Sequence, residues 1–111
     1  RALAELLPTG AVQREDAAAW VAFGAAASTR PWLADPYWEA LQIMRTWVEG
    51  VLADARKAGR MRADLLPAEG ARLVTAVVNG LTLDLLNAPP TESDEVIGQL
   101  RSGLGLILRG L

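Results

Sequence analysis

The chain has 111 residues, a net charge of −2 and 51% hydrophobic residues, enough for one domain with a real core. It contains no cysteine and no histidine, which excludes disulfides, thiolate metal sites, the usual serine or cysteine triads and most zinc sites. Mild acidity without a large basic block makes the chain by itself a poor binder of nucleic acid. The remaining titratable groups are scattered: Glu49, Asp54 and Asp64 have no spacing that demands a pair in space. No catalytic residue, cofactor or metal is expected, and the chain does not read as an enzyme. No apolar run approaches the roughly 20 residues that cross a bilayer, and no signal peptide is visible. A cytoplasmic location and no membrane partner follow as the expectation.

The chain opens with RALAELL, so a first helix over residues 2–7 is expected, stopped by Pro8 and Gly10. It reads as a chain that starts inside a helix, with its natural N-terminus missing. After the loop PTGAVQ a second helix spans 14–28, with Glu15 and Asp16 in its first turn. Its apolar stripe is Trp20, Phe23 and Ala27. Residues 30–36 form a connection with two prolines. There Trp32 is expected to sit as a lid over the core, and Asp35 and Pro36 look like the N-cap and first position of the next helix. That third helix covers 36–58 with a stripe of Tyr37, Leu41, Met44, Val48, Val51 or Leu52, and Ala55, spaced at 3.6 residues per turn. Gly59 is placed to end it, beside Arg56, Lys57 and Arg60 at the negative end of the dipole. Pro67 starts a fourth helix running to about Leu86, closed by Asn87, Pro89 and Pro90. A fifth runs from Thr91 or Ser93 to Arg109. The fold class is all-α, a bundle of about five helices in one domain over residues 1–111.

The last two helices carry more apolar surface than one small bundle covers. On the fourth, Val74, Val78, Leu81 and Leu85 make one line, and Leu73, Val77, Gly80 and Asp84 a second. On the fifth, the lines are Val96, Leu100, Gly103, Ile107 and Ile97, Leu104, Leu108, Leu111. Gly98, Gly103 and Gly105 cost about 1 kcal/mol each inside a helix and make sense where another helix comes close. The expectation is a homodimer in which these helices form an intermolecular four-helix bundle. Its interface residues are Leu73, Val77, Gly80, Asp84, Leu100, Gly103 and Ile107, with Arg101 as a partner for Asp84.

The order of motifs resembles a known family. Trp20 and Phe23 form W-x-x-F. The proline turn and the aromatic pair Tyr37, Trp38 follow, then A-x-x-x-G-R-M-R-A-D at 55–64 and V-V-N-G-L at 77–81. This set is similar to the C-terminal regulatory domain of TetR-family transcriptional repressors, closest to the type of the choline-responsive repressor BetI. It covers essentially the whole chain. Where that family often has aspartate before the glycine, this chain has Asn79. The resemblance implies a one-component switch, in which a small effector binds among the helices and shifts the dimer arrangement. DNA is contacted only through an N-terminal helix-turn-helix domain that this sequence lacks. Half-sites lie roughly 34 Å apart, so a small change in head spacing weakens binding.

Four tryptophans are a heavy allocation for this length. Trp20, Phe23, Met44 and Trp47 are the candidate walls of a ligand cavity, with Thr75 and Asn79 as orienting polar groups. Such walls suit an apolar or cationic effector. At helical spacing the same residues also serve as plain core. The alternative function is therefore a structural helical dimerisation or interaction module without a ligand. The cluster Arg56, Lys57, Arg60, Arg62 reads as a solvated helix end.

Overall fold

In the computed structural model, residues 11–108 are described, with side chains from residue 13 onward. They form four α-helices: α1 (Ala11–Ala27), α2 (Pro31–Lys57), α3 (Pro67–Asn87) and α4 (Ser93–Gly105), the last entered through a 3₁₀ turn at Pro90–Glu92. The described residues contain no strand, only an isolated antiparallel bridge between Met61 and Leu108. The class is all-α. The helix expected over residues 2–7 lies outside the described residues, so four helices stand where five were expected.

The molecule measures 40 × 36 × 19 Å. The shortest dimension corresponds to two helix layers of about 10 Å each. The 27 residues of α2, at about 1.5 Å rise each, are as long as the longest dimension. α2 and α3 are the principal pair, α1 lies on both, and α4 packs on α3. The core joins Val48 and Leu52 of α2 to Ala71, Val74, Val78 and Leu85 of α3 and to Val96, Leu100 and Leu104 of α4, closed by Met61, Ile107 and Leu108.

Three helix boundaries differ from the expectation. α1 starts at Ala11, not Arg14, so Glu15 and Asp16 stand beyond its first turn. α2 starts at Pro31, not Pro36, and Asp35 is no N-cap but an exposed residue inside the helix. Pro36 removes one ladder hydrogen bond, to the Trp32 carbonyl. That carbonyl belongs to an exposed residue in the first turn, where water can satisfy it, so the helix runs through. Pro31, pre-set at the first helical position, is the true start. Trp32 is consequently no lid: it stands on the second residue of α2, 73% exposed.

At the other end α4 stops at Gly105, not Arg109; Arg109 and Leu111 lie outside the described residues. Leu106 N–H donates to Gly103 O at 3.2 Å and Ile107 N–H to Leu104 O at 3.0 Å, tightening the last turn. The chain then runs beside the α2–α3 connection, where Arg62 N–H donates to Ile107 O at 3.1 Å.

The ends of α2 and α3 follow local chemistry. Gly59 has φ 72°, the left-handed region open to glycine. Gly59 N–H donates to Arg56 O and Arg60 N–H to Ala55 O, the paired bonds of a Schellman end. Pro67 opens α3, and the Glu69 carboxylate accepts the Leu66 N–H at 3.2 Å. Leu66 has no side-chain acceptor to return the bond. At the α2–α3 crossing, a Cβ on Gly70 would sit 2.8 Å from Leu52 Cδ1 and 3.3 Å from Met61 Cε. The absence of a side chain there sets how closely the two helices approach.

Candidate functional site

The side chains brought together by α1, α2 and α3 form an aromatic cluster. Trp20 of α1 stacks on Tyr37 of α2 with centroids 4.8 Å apart and planes at 27°. Phe23, one turn along α1, meets Trp20 edge-on at 6.0 Å and Tyr37 edge-on at 5.3 Å. All three geometries are favoured by ring quadrupoles. The junction depends on Gly24, whose Cβ would lie 3.0 Å from Tyr37 Cε1. Small residues on α1 let the tyrosine ring reach the helix surface.

One polar bond ties the cluster to α3. Trp20 Nε1–H donates to Asn79 Oδ1 at 3.3 Å, leaving the Asn79 NH2 group to donate elsewhere. Thr75 lies one turn earlier on α3 and is buried, but its hydroxyl donates back to the Ala71 and Arg72 carbonyls at 2.9 and 3.1 Å. A hydroxyl bonded within its own helix is already satisfied. At the far end of α1, the Arg14 guanidinium donates to Leu85 O at 3.4 Å and Leu86 O at 3.2 Å. It caps the negative end of α3 and is the second bond that ties α1 to α3.

Of the six candidate ligand residues, the structure brings Trp20, Phe23 and Asn79 into one contact network. Met44 is partly buried two turns along α2 from Tyr37, on the same side. Trp47 is turned outward and makes no ring contact with the cluster. Tyr37 is the central ring, although its spacing along α2 marks it only as part of a core stripe. Its proximity to Trp20 depends on how α1 crosses α2, which spacing along one helix does not encode.

The candidate interface residues divide. Leu73, Gly80 and Asp84 are exposed on one side of α3, and Val77 is partly buried. Gly103 of α4 faces Val77 inside the same chain, with a Cβ position 3.6 Å from Val77 Cγ1, an ordinary contact. Leu100 and Ile107 belong to the protomer's own core, so their surface is already used. For Leu100 the reason is its place on the side of α4 that meets α3, and for Ile107 it is the early end of α4. Val96, Leu100 and Leu104 fall on one line that faces α3. Beyond Gly105 the turn, not the helix, places Ile107 and Leu108, and it turns both inward. The outward side of α4 is Gly98, Ser102 and Gly105. Among the described residues no ion pair joins Asp84 to Arg101; the Arg62–Asp64 pair, at 2.7 Å, is on the surface.

The described residues hold no group of histidine, cysteine or carboxylates able to bind a metal, and no described helix is long and apolar enough to cross a membrane. What they offer is ring faces, one carboxamide and an unused apolar helix side. That is the equipment of an all-α regulatory domain. The family model for the C-terminal domain of BetI-type transcriptional repressors matches residues 1–109. The chain belongs to that TetR-type family, whose members are transcription-regulator domains and not enzymes. No curated protein and no solved structure was found to match it.

Proposed function

We propose that the chain, residues 1–111 acting as one domain, senses a small effector and dimerises for a TetR-like repressor that the effector releases from DNA. DNA contact belongs to a separate helix-turn-helix domain of such a regulator, which acts in the cytoplasm. The observation that supports this is the double use of α3. One side bonds the aromatic cluster through Asn79, and another leaves Leu73, Gly80 and Asp84 in solvent. An effector that enters among Trp20, Phe23 and Tyr37 acts on the helix that carries the partner-facing residues. Its effect is bounded by its differential affinity for the two dimer arrangements. Met44 and Thr75 border the cluster in this reading, and Trp47 contributes only if the helices shift. Leu73, Val77, Gly80 and Asp84 carry the dimer contact, with the outward side of α4, at Gly98, Ser102 and Gly105, as its second element.

Two measurements test the parts separately. Sedimentation at tens of micromolar should give a dimer, and Gly80→Leu should weaken it; a clean monomer for the parent chain rejects the interface. Thermal shift and tryptophan fluorescence with small apolar and quaternary-ammonium compounds should find ligands whose effect is lost in Trp20→Ala.

The ligand-free alternative has its own support. The cluster's rings are mutually packed and Thr75 is satisfied within its helix. A dimer with no responsive compound favours that reading, a structural dimerisation module.

A further inference from the structure

Three of the four tryptophans are on the outside of the molecule, all on α2: Trp32 is 73% exposed, Trp38 54% and Trp47 48%, and Ile43 beside them is 69% exposed. Large apolar side chains gathered on one exposed side mark a contact surface more often than chance. At helical spacing Trp32, Glu39, Ile43 and Gly50 fall on one line down α2, with Trp47 along its edge. Gly50 interrupts this line with open space, since nothing lies within 4 Å of where its Cβ would be. Trp38 stands to one side and is held in place: Arg45 lies 5.1 Å over its ring, and the Gln42 amide oxygen, in one amide orientation, accepts from both.

The charges on this stretch have one sign. Between Pro31 and Asp54 the exposed charged residues are Asp35, Glu39, Glu49 and Asp54; the single cation, Arg45, is partly buried against Trp38. Exposed cations stand only at its two ends, Arg30 before it and Arg56 and Lys57 beyond it. Neither the aromatic cluster nor the proposed partner side of α3 uses this face.

We propose that the outward face of α2 docks an amphipathic helix of another protein segment, one that sets large apolar residues against Ile43 and Trp47 and lysines or arginines against the flanking carboxylates. A second copy of the same face fits worse, because it sets carboxylates against carboxylates. In the structure this surface is separate from the proposed partner side of α3 and from the rings of the aromatic cluster.

The test uses the whole chain and a fluorescein-labelled synthetic helical peptide with leucine on one side and lysine on the other, read by anisotropy at low and moderate salt. Two control peptides accompany it, one with glutamate for lysine and one with serine for leucine. The leucine–lysine peptide should bind, and both controls should bind at least about tenfold more weakly. The pair Ile43→Ser, Trp47→Ser should lose binding by a similar factor. The pair Glu39→Lys, Glu49→Lys should reverse the preference toward the leucine–glutamate peptide. All four positions are exposed, and circular dichroism with thermal melting checks that the variants fold. Failure of the leucine–lysine peptide to bind, equal binding of the serine–lysine peptide, or indifference to both variant pairs overturns the proposal. So does sedimentation showing that Ile43→Ser, Trp47→Ser lowers the mass of the chain's own assembly, which assigns the face to a second copy.

Discussion

α3 and α2 are the two long helices of the molecule and solve opposite problems. α3 is apolar on two sides and buries the wider one, so that Val74, Thr75, Val78 and Leu85 disappear into the protein while Leu73, Gly80 and Asp84 remain outside. α2 buries a narrow line of Leu41, Val48 and Leu52 and leaves its largest side chains in water. Residue size is thus a poor guide to burial here. What decides burial is which side of the helix a neighbour covers. Valine and threonine at the α2–α3 crossing are sealed, whereas tryptophan on the far side of α2 is not.

That contrast can be broken most directly in the core. Leu52→Ala removes a fully buried side chain from the crossing and should destabilise the fold by about 2–5 kcal/mol in urea denaturation. Trp32→Ser on the outer side should change stability by less than about 0.5 kcal/mol; a core-sized loss there would mean that the outer face is covered in the isolated chain. Between these extremes lie the bonds from α1 to α3. Trp20→Phe keeps the ring stack but removes the donor to Asn79, with an expected loss of about 1 kcal/mol. Arg14→Ala strips the cap from the end of α3 and should cost about 0.5–1 kcal/mol, with faster amide exchange near Leu85 and Leu86 as the specific readout.

The smallest effect is electrostatic. A hydrogen bond with Glu95 and the charge of that neighbour raise the Glu92 carboxyl above its ordinary 4.5. A carboxyl raised on folding contributes stability that is present below its unfolded pKa and is lost as pH rises through the folded value. The wild type should therefore lose ground to Glu92→Gln between the ordinary carboxylate range and neutrality. The change is slight, because the group is fully exposed, and a pair of thermal melts across that range checks its sign.

Helix identities and most of the core were legible from periodicity. The lines through Tyr37, Leu41, Met44 and Val48, and through Val74, Val78 and Leu85, turned to the interior as their spacing requires. The ends marked by Gly59, Pro67 and the pair Pro89, Pro90 were legible too, because φ restriction and missing N–H groups act locally. Asp35 with Pro36 imitated a helix start that Pro31 had already supplied. The chosen α4 stripe extended a helical register past Gly105, where the chain is no longer helical. In the aromatic cluster Trp20, Phe23 and Asn79 stood out by residue type, but not the contacts that join them. Tyr37 was missed because its role rests on the gap left by Gly24 on another helix.

By itself the sequence determined an all-α chain without the cysteine and histidine of disulfides, thiolate metal sites and the usual triads, and the order of its motifs carried the resemblance to TetR-type regulatory domains. These are properties of composition and of interactions within a few residues. Only the tertiary structure decided that Leu100 and Ile107 serve the protomer's own core, that Asn79 accepts from Trp20, and that most of the tryptophans face outward. Each of these depends on which helices meet and at what angle. That is set by packing between residues dozens of positions apart, to which spacing along a single helix is blind.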